Sequence, residues 1–162
     1  MQEALIPDGR KPFIEVKCGA EVLPELQRVL KTAAKKPEQT VLIGFKLETM
    51  RKAKALLPQL PVLWLAGKES KAKKFPPVET LIEQARAAHL DGLDLEAGFP
   101  IDGAFVRKVH EAGLKLYTWT VDDPALAHQE AAAGVDGITT NRPGWMREQL
   151  ATAAAPPEDS RK

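Results

Sequence analysis

Short runs of apolar and β-branched residues alternate with segments of helical periodicity along most of the chain. Six runs are typical of buried strands, at residues 13–17, 41–46, 61–66, 92–96, 115–120 and 134–140. The helical patterns between them cover residues 22–34, 47–57, 78–88, 103–112 and 124–133. Each helical segment is long enough to connect two parallel strands. The alternation therefore predicts an α/β fold with a parallel sheet.

The last of these helices has the clearest boundary signals. Asp123 is a good N-cap residue, and Pro124 follows it at the first helical position. Gly134 follows the Ala-rich segment, and Gly113 stands at the equivalent point one unit earlier. A glycine there can end a helix in the left-handed conformation. Repetition of one strand–helix unit explains both positions.

Composition excludes several classes of protein. The chain has 162 residues, which suits one domain but is shorter than the about 250 residues of a typical eight-stranded barrel. A net charge of +1 predicts no general attraction to nucleic acid or membranes, and a local group of lysines is expected to be solvated: Lys68, Lys71, Lys73 and Lys74. The single cysteine, Cys18, excludes an internal disulfide framework, and no apolar run is long enough for a transmembrane segment. No signal peptide pattern follows Met1, which favours the cytoplasm without deciding the location.

Two motifs resemble the glycerophosphodiester phosphodiesterase family. They are PFIEVK at residues 12–17 and GLKLYTWTVDDPALAHQEAAAGVDGITTNRPGW at residues 113–145, in the family's order. The resemblance implies a TIM-type (β/α)8 barrel, of which residues 1–150 would form about six parallel βα units with the first strands missing. Asn141 departs from the aspartate frequent in the family's Thr-Asp-Arg-Pro turn but keeps a short side chain that can bond the turn. Residues 151–162 contain two prolines and no apolar period, which predicts a disordered tail.

The family's opening strands carry His-Arg-Gly, Glu-Asn-Thr, Glu-x-Asp and His-Asp motifs that have no counterpart in the sequence. We therefore expect the chain to correspond to the last two thirds of such a barrel, with Met1 an internal methionine of a truncated gene model. Unpaired sheet edges at the strands around Phe13 and Gly134 would then favour self-association.

Glu15 and Lys17 alternate with Ile14 and Val16, so they project from one face of a strand, which in a barrel is the interior. Charged groups there need a partner such as a metal ion or a substrate phosphate. A mutual salt bridge is the simpler alternative. The family resemblance implies that Glu15 is a divalent-metal ligand and that Lys17 contacts the phosphate.

Three further residues come at the ends of predicted strands. The resemblance implies that Trp119 packs against the glycerol part of a substrate, whereas an ordinary core tryptophan is the alternative. Asp94 and Glu96 share a strand face and could help to hold a hard cation, although hydrogen bonds to loop amides explain them as readily.

General acid and base residues are not evident. The chain has three histidines, of which His89 and His110 come late in helices that lead into strands, and His128 lies within the helix after Asp123. A barrel's active site lies at the other end of its strands, so we expect surface or helix-cap roles for all three.

The resemblance implies a phosphoric diester hydrolase of lipid metabolism that converts a small-molecule glycerophosphodiester to glycerol 3-phosphate and an alcohol, with Mg²⁺ or Ca²⁺ on the phosphate oxygens. We expect this chain alone to be inactive, because the acid and base residues would come from the missing strands. The alternative is a non-catalytic phosphate-binding or self-associating α/β module. The GVDGITTN turn at residues 134–141 also suits phosphate-sugar barrels, but the TWTVDDP motif fits the phosphodiesterases better.

Overall fold

The computed structural model describes residues 11–32, 39–68 and 74–153. Six strands are present in this part of the chain: β1 (Phe13–Glu15), β2 (Val41–Gly44), β3 (Val62–Ala66), β4 (Gly92–Glu96), β5 (Lys115–Trp119) and β6 (Gly137–Ile138). A short 3₁₀ turn at Ala20–Val22 leads into the first of six α-helices. These are α1 (Leu23–Thr32), α2 (Leu47–Leu56), α3 (Val78–Ala87), α4 (Gly103–Glu111), α5 (Pro124–Ala133) and α6 (Pro143–Ala153).

The strands form one sheet in which every neighbouring pair is parallel and the spatial order follows the chain, from β1 to β6. The sheet is curled, because the rings of Phe13 on β1 and Tyr117 on β5 have centroids 5.5 Å apart although three strands lie between them. The predicted α/β architecture is confirmed: the structure is part of a TIM-type barrel, with the concave face of the sheet as its interior.

The two faces of the sheet have different partners. Leu42, Leu93 and Leu116 are fully buried against the layer of helices, together with residues such as Met50 and Val109. Burial of a leucine of this kind stabilises the fold by about 2 kcal/mol. The intervening residues of the same strands point to the concave face. This alternation fixes which side chains can reach a site inside the barrel.

Element boundaries differ from the prediction mainly at the outer strands. Strand β1 ends at Glu15 rather than at residue 17, although the Val16 N–H still donates to the Ile43 carbonyl at 2.8 Å. Strand β6 is reduced to Gly137–Ile138, because Gly134 ends α5 with φ of 96° and the chain must turn before it can pair. Helix α6 continues through Ala153, into the first residues of the predicted tail, and residues 154–162 lie outside the described part of the chain.

The predicted helix ends are confirmed. Asp123 accepts a hydrogen bond from the N–H of Ala125 at 2.9 Å, with Pro124 at the start of α5. Gly113 and Gly134 both have the left-handed conformation, with φ of 79° and 96°. His89 occupies the equivalent position after α3 with φ of 56°, which the sequence did not reveal. Among the described helices, none combines the length and the apolar character needed to cross a membrane.

Candidate active site

The candidate residues gather at the carboxyl end of the curled sheet. Glu15 is the last residue of β1, and Lys17 lies two residues further on the same side of the chain. Trp119 is the last residue of β5 and pairs in register with Glu96, the last residue of β4. Parallel strands bring their carboxyl ends to one edge, which in barrels of this kind carries the active site.

Glu15 and Lys17 form an exposed ion pair. The Lys17 Nζ lies 3.5 Å from Glu15 Oε2, and the two side chains are 80% and 31% exposed, respectively. The salt bridge considered from the sequence is therefore present. An exposed pair at this distance contributes little to stability, so both groups can exchange this contact for one with a ligand.

Trp119 extends from β5 across the neighbouring strand. Its Nε1 donates to the main-chain carbonyl of Asp94 at 3.0 Å, and its ring meets the ring of Phe45 edge to face, with centroids 5.4 Å apart. Phe45 directly follows β2 and is 51% exposed. The tryptophan is partly exposed and spans the mouth of the curled sheet, so it forms a wall of this mouth rather than part of the helix-facing core.

Asp94 lies below Trp119 on the concave face, level with Leu65 on β3 and Tyr117 on β5. Its side chain is buried, and its Oδ1 has no hydrogen-bond partner among the described residues. Burial raises the pKa of this carboxyl to about 7, because desolvation disfavours its charged form. A buried acid with a free oxygen is uncommon in folded proteins.

Glu96 has a different environment from Asp94, although both were considered together as possible cation ligands. Its Oε2 accepts a hydrogen bond from the main-chain N–H of Lys68 at 2.7 Å. This is the loop-amide interaction considered from the sequence. Glu96 is thus bonded to a loop amide, whereas Asp94 Oδ1 has no partner among the described residues, and the two acids do not act as one unit.

Comparison with known proteins identifies the family. A sequence model described as "Glycerophosphoryl diester phosphodiesterase family" matches residues 7–145. The chain belongs to this family. A Mycobacterium tuberculosis protein named "Probable glycerophosphodiester phosphodiesterase 2" is 42% identical over 50 residues, which are 31% of this chain and 19% of that protein.

Solved structures agree on the fold of this phosphodiesterase family member. The chain is similar to a glycerophosphodiester phosphodiesterase from Parabacteroides distasonis (TM-score 0.63, 22% identity, 90% of this chain and 59% of that one). It is also similar to an Oleispira antarctica phosphodiesterase in complex with the product sn-glycerol-3-phosphate (TM-score 0.65, 21% identity, covering 82% of this chain and 50% of that one). A third match is a glycerophosphodiester phosphodiesterase from Thermotoga maritima (TM-score 0.63, 14% identity, 91% and 58%). The chain thus spans between 50% and 59% of these three proteins.

A divalent metal is the cofactor that the family resemblance implies. Mg²⁺ and Ca²⁺ need several oxygen ligands. Glu15 offers one carboxylate, and the described ranges contain no group of three or more His, Cys, Asp or Glu side chains placed to hold a metal ion. The described residues therefore do not form a complete metal site of this kind.

The turn after β6 contains the departure from the family's Thr-Asp-Arg-Pro pattern. Asp122 accepts hydrogen bonds from the side-chain amide of Asn141 at 2.7 Å, from its N–H at 2.8 Å and from the Thr140 hydroxyl at 2.8 Å. These bonds, led by the one from the Asn141 side chain, hold the pKa of Asp122 below its usual range. An aspartate at position 141 would oppose a second carboxylate to Asp122, so the asparagine suits its neighbour.

The histidines lie away from this end of the sheet. The His110 Nε2 is 2.8 Å from Asp136 Oδ2, next to the start of β6, and the His128 Nε2 is 3.2 Å from the Gln149 carbonyl, between α5 and α6. His89 is in the turn between α3 and β4. His89 follows the end of a helix and His110 is partly exposed, in keeping with the predicted surface or helix-cap roles, whereas His128 is partly buried between α5 and α6.

Proposed function

We propose that the chain is part of a glycerophosphodiester phosphodiesterase and contributes one side of its active site. The observation that carries the proposal is the position of Lys17, an 80% exposed ammonium group at the carboxyl end of β1 in a chain of this family. Glu15 and Trp119 lie at the same end of the sheet. The product bound to the Oleispira antarctica phosphodiesterase, sn-glycerol-3-phosphate, is a ligand of the proposed chemistry.

In the proposed reaction, water attacks the phosphorus of a glycerophosphodiester, and the bond to the alcohol oxygen breaks. The products are glycerol 3-phosphate and the free alcohol. Lys17 binds a phosphoryl oxygen and offsets the negative charge that grows in the transition state. Trp119 packs against the glycerol carbons and excludes water from that side.

This chemistry also needs a group that removes a proton from water and one that protonates the departing alkoxide. The three histidines lie away from the carboxyl end of the sheet. Glu15 would supply one ligand to Mg²⁺ or Ca²⁺, and the other ligands would come from outside the described residues. We therefore expect the 162-residue chain alone to bind the product but not to turn over a substrate.

The test measures binding and hydrolysis separately. The affinity of the 162-residue chain for sn-glycerol 3-phosphate is measured by NMR titration, and hydrolysis of a glycerophosphodiester is measured with added Mg²⁺ or Ca²⁺. Lys17→Ala should weaken binding at least about tenfold, because a charge-assisted contact with the phosphate is lost. Lys31→Ala is the matched control, since Lys31 is an exposed lysine on the outer helix α1.

Unchanged binding by Lys17→Ala would remove the basis of the proposal. Metal-dependent turnover by the chain alone would contradict the expected inactivity. A second candidate function, a self-associating phosphate-binding module, is favoured by the sheet edges: β1 and β6 each have one strand neighbour in the described sheet, and Phe13 on β1 is exposed. That candidate requires a discrete oligomer in sedimentation analysis, with phosphate binding and no turnover.

A further inference from the structure

Phe45 exposes a large apolar side chain at the mouth of the curled sheet. About half of it remains accessible, 51%, more than for Phe13 or Leu56. Single exposed apolar residues are common on protein surfaces and need no explanation. Phe45 is different, because it continues the aromatic surface of Trp119, with ring centroids 5.4 Å apart at an interplanar angle of 86°.

Hydrogen bonds hold the backbone of Phe45 and the ring of Trp119 in this aromatic pair. The main-chain carbonyl of Phe45 accepts a hydrogen bond from Trp64 Nε1 at 3.0 Å. The ring of Phe45 rests against Trp119, which is itself held by the Asp94 carbonyl. A surface held in one conformation loses little entropy when a ligand binds, which favours a role in binding.

The register of β1 and β2 relates Phe45 to the proposed phosphate contact. Glu15 pairs with Ile43, and the Val16 N–H extends this ladder to the Ile43 carbonyl. The next concave-face positions along the two strands are Lys17 and Phe45, two residues further in each. If the register of β1 and β2 is continued beyond its last pair, Phe45 is opposite Lys17, and on its other side it contacts Trp119.

We propose that Phe45 is a specificity-determining residue: its exposed ring contacts the carbon skeleton of the phosphate ester whose phosphate Lys17 binds. The inference rests on the proposed function, because it takes Lys17 as the phosphate contact. The ring offers C–H and π contacts but no hydrogen bond, so it adds affinity for a carbon chain and none for the phosphate. Phosphate esters should therefore bind more tightly than inorganic phosphate, and Phe45 should account for part of the difference.

The experiment compares two probes, inorganic phosphate and sn-glycerol 3-phosphate, by NMR titration of the 162-residue chain at one pH and ionic strength. The variants are Phe45→Ser, Lys17→Ala and the control Leu56→Ser, which removes another exposed apolar side chain at the end of α2. Phe45→Ser should weaken sn-glycerol 3-phosphate about fivefold and leave phosphate unchanged. Lys17→Ala should weaken both probes, and Leu56→Ser neither. Nuclear Overhauser effects between the Phe45 ring and the glycerol C–H protons should be present in the wild-type complex.

Each other result contradicts a defined part of the argument. If the wild type binds neither probe, the proposed function is wrong and this inference falls with it. If Lys17→Ala weakens both probes but Phe45→Ser weakens neither, the phosphate contact stands and the role of Phe45 is wrong. If Phe45→Ser weakens both probes equally, Phe45 supports the shape of the site and does not select the carbon skeleton.

Discussion

Asp91 and Asp136 at the amino end of the barrel strands are more completely bonded than Glu15 and Asp94 on the concave face. At the amino end, Asp91 and Asp136 come directly before β4 and β6, and they accept from two and three groups, respectively. At the carboxyl end, Asp94 keeps a free oxygen, and Glu15 has an ion pair of 3.5 Å with an exposed lysine. Glu96 and Asp122 at the carboxyl end are bonded to loop groups, but Asp94 and Glu15 retain bonding capacity for a ligand, whereas Asp91 and Asp136 stabilise the fold at the amino end.

The amino end uses the same arrangement twice. Asp136 accepts the Leu116 N–H at 2.8 Å, and Asp91 accepts the Val62 N–H at 2.7 Å. Asp136, just before β6, thus binds the second residue of β5, and Asp91, just before β4, binds the first residue of β3. Each carboxylate therefore connects the beginnings of two adjacent strands. Lysines complete both sites: Lys115 lies 2.7 Å from Asp136, and Lys54 lies 2.7 Å from Asp91.

Among the changes that test this comparison, Asp136→Ala is expected to have the largest effect on the free energy of unfolding. The change leaves the Leu116 N–H, Lys115 and His110 without their shared acceptor. Loss of a partly buried, hydrogen-bonded charge should lower the free energy of unfolding by about 3 kcal/mol, measured by urea denaturation at pH 7. Glu111→Ala, which removes an exposed carboxylate at the end of α4, should change it by less than about 0.5 kcal/mol.

The pH dependence of this effect has a defined sign. Desolvation, the largest contribution, raises the pKa of Asp136, but the bonds from Lys115, Leu116 and His110 together outweigh it, and the pKa lies below its usual value. Such a group stabilises the fold above its unfolded pKa of about 3.9, and this contribution disappears as the pH falls through the lower folded pKa. An effect of Asp136→Ala that is as large at very acidic pH as at pH 7 would contradict the assignment.

On the concave face, Asp94→Asn should change the pH dependence of stability in the opposite direction to Asp136→Ala. The folded state keeps the Asp94 proton up to a pKa of about 7, whereas the unfolded chain loses it near a pKa of about 3.9. Between these values the wild type loses stability as the pH rises, because the folded state binds more protons than the unfolded state. From pH 5 to pH 8, Asp94→Asn should therefore gain about 2 kcal/mol relative to the wild type in urea denaturation.

The control for that measurement is Glu96→Gln, because Glu96 lies on the same strand and accepts a loop N–H. The difference in free energy of unfolding between Glu96→Gln and the wild type should change by less than about 0.5 kcal/mol over the same pH interval. If the difference in free energy of unfolding between Asp94→Asn and the wild type stays constant from pH 5 to pH 8, the pKa of Asp94 is not raised in the folded state.

Much of the fold follows from local sequence patterns. The strand and helix alternation, the Asp123 cap and the two glycine helix ends depend on residues that are close in sequence, so their positions were predictable. The position of Trp119 at the same end as Glu15 also follows from strand direction. Strand β6 was predicted too long because an apolar pattern does not reveal where pairing begins.

The partners of individual side chains were not predictable. Asp136 binds a main-chain group twenty residues away, and Glu130 of the Ala-rich helix α5 accepts a buried hydrogen bond from the Thr118 hydroxyl at 2.7 Å. Periodicity shows which face a residue occupies but not which residue it meets there. The Asp-Gly pair at the start of both β4 and β6 was the available signal for the repeated carboxylate contact. Phe45 gave no comparable signal, since its contact with Trp119 depends on the curl of the sheet.

A smaller effect is expected at His89, a strained position at the amino end. Its φ of 56° is the left-handed conformation that Gly113 adopts after the next helix, and its N–H makes the same type of bond to the helix end, at 2.9 Å. His89→Gly should raise the free energy of unfolding by about 0.5 to 1 kcal/mol in urea denaturation. Gly113→Ala should lower it by a similar amount, and an opposite sign for either variant would show that this backbone conformation does not limit stability.

The smallest effect on stability is expected where the effect on binding is largest. Lys17 is 80% exposed, so Lys17→Met should change the free energy of unfolding by less than about 0.5 kcal/mol. Lys54 is a matched lysine at the amino end, only 17% exposed, which also donates to the Pro58 and Leu60 carbonyls. Lys54→Met should lower the free energy of unfolding by about 2 kcal/mol, because two main-chain carbonyls and a carboxylate that is 38% exposed lose their shared donor. Equal effects of the two variants on the free energy of unfolding would mean that the ends of the barrel do not differ in their contribution to stability.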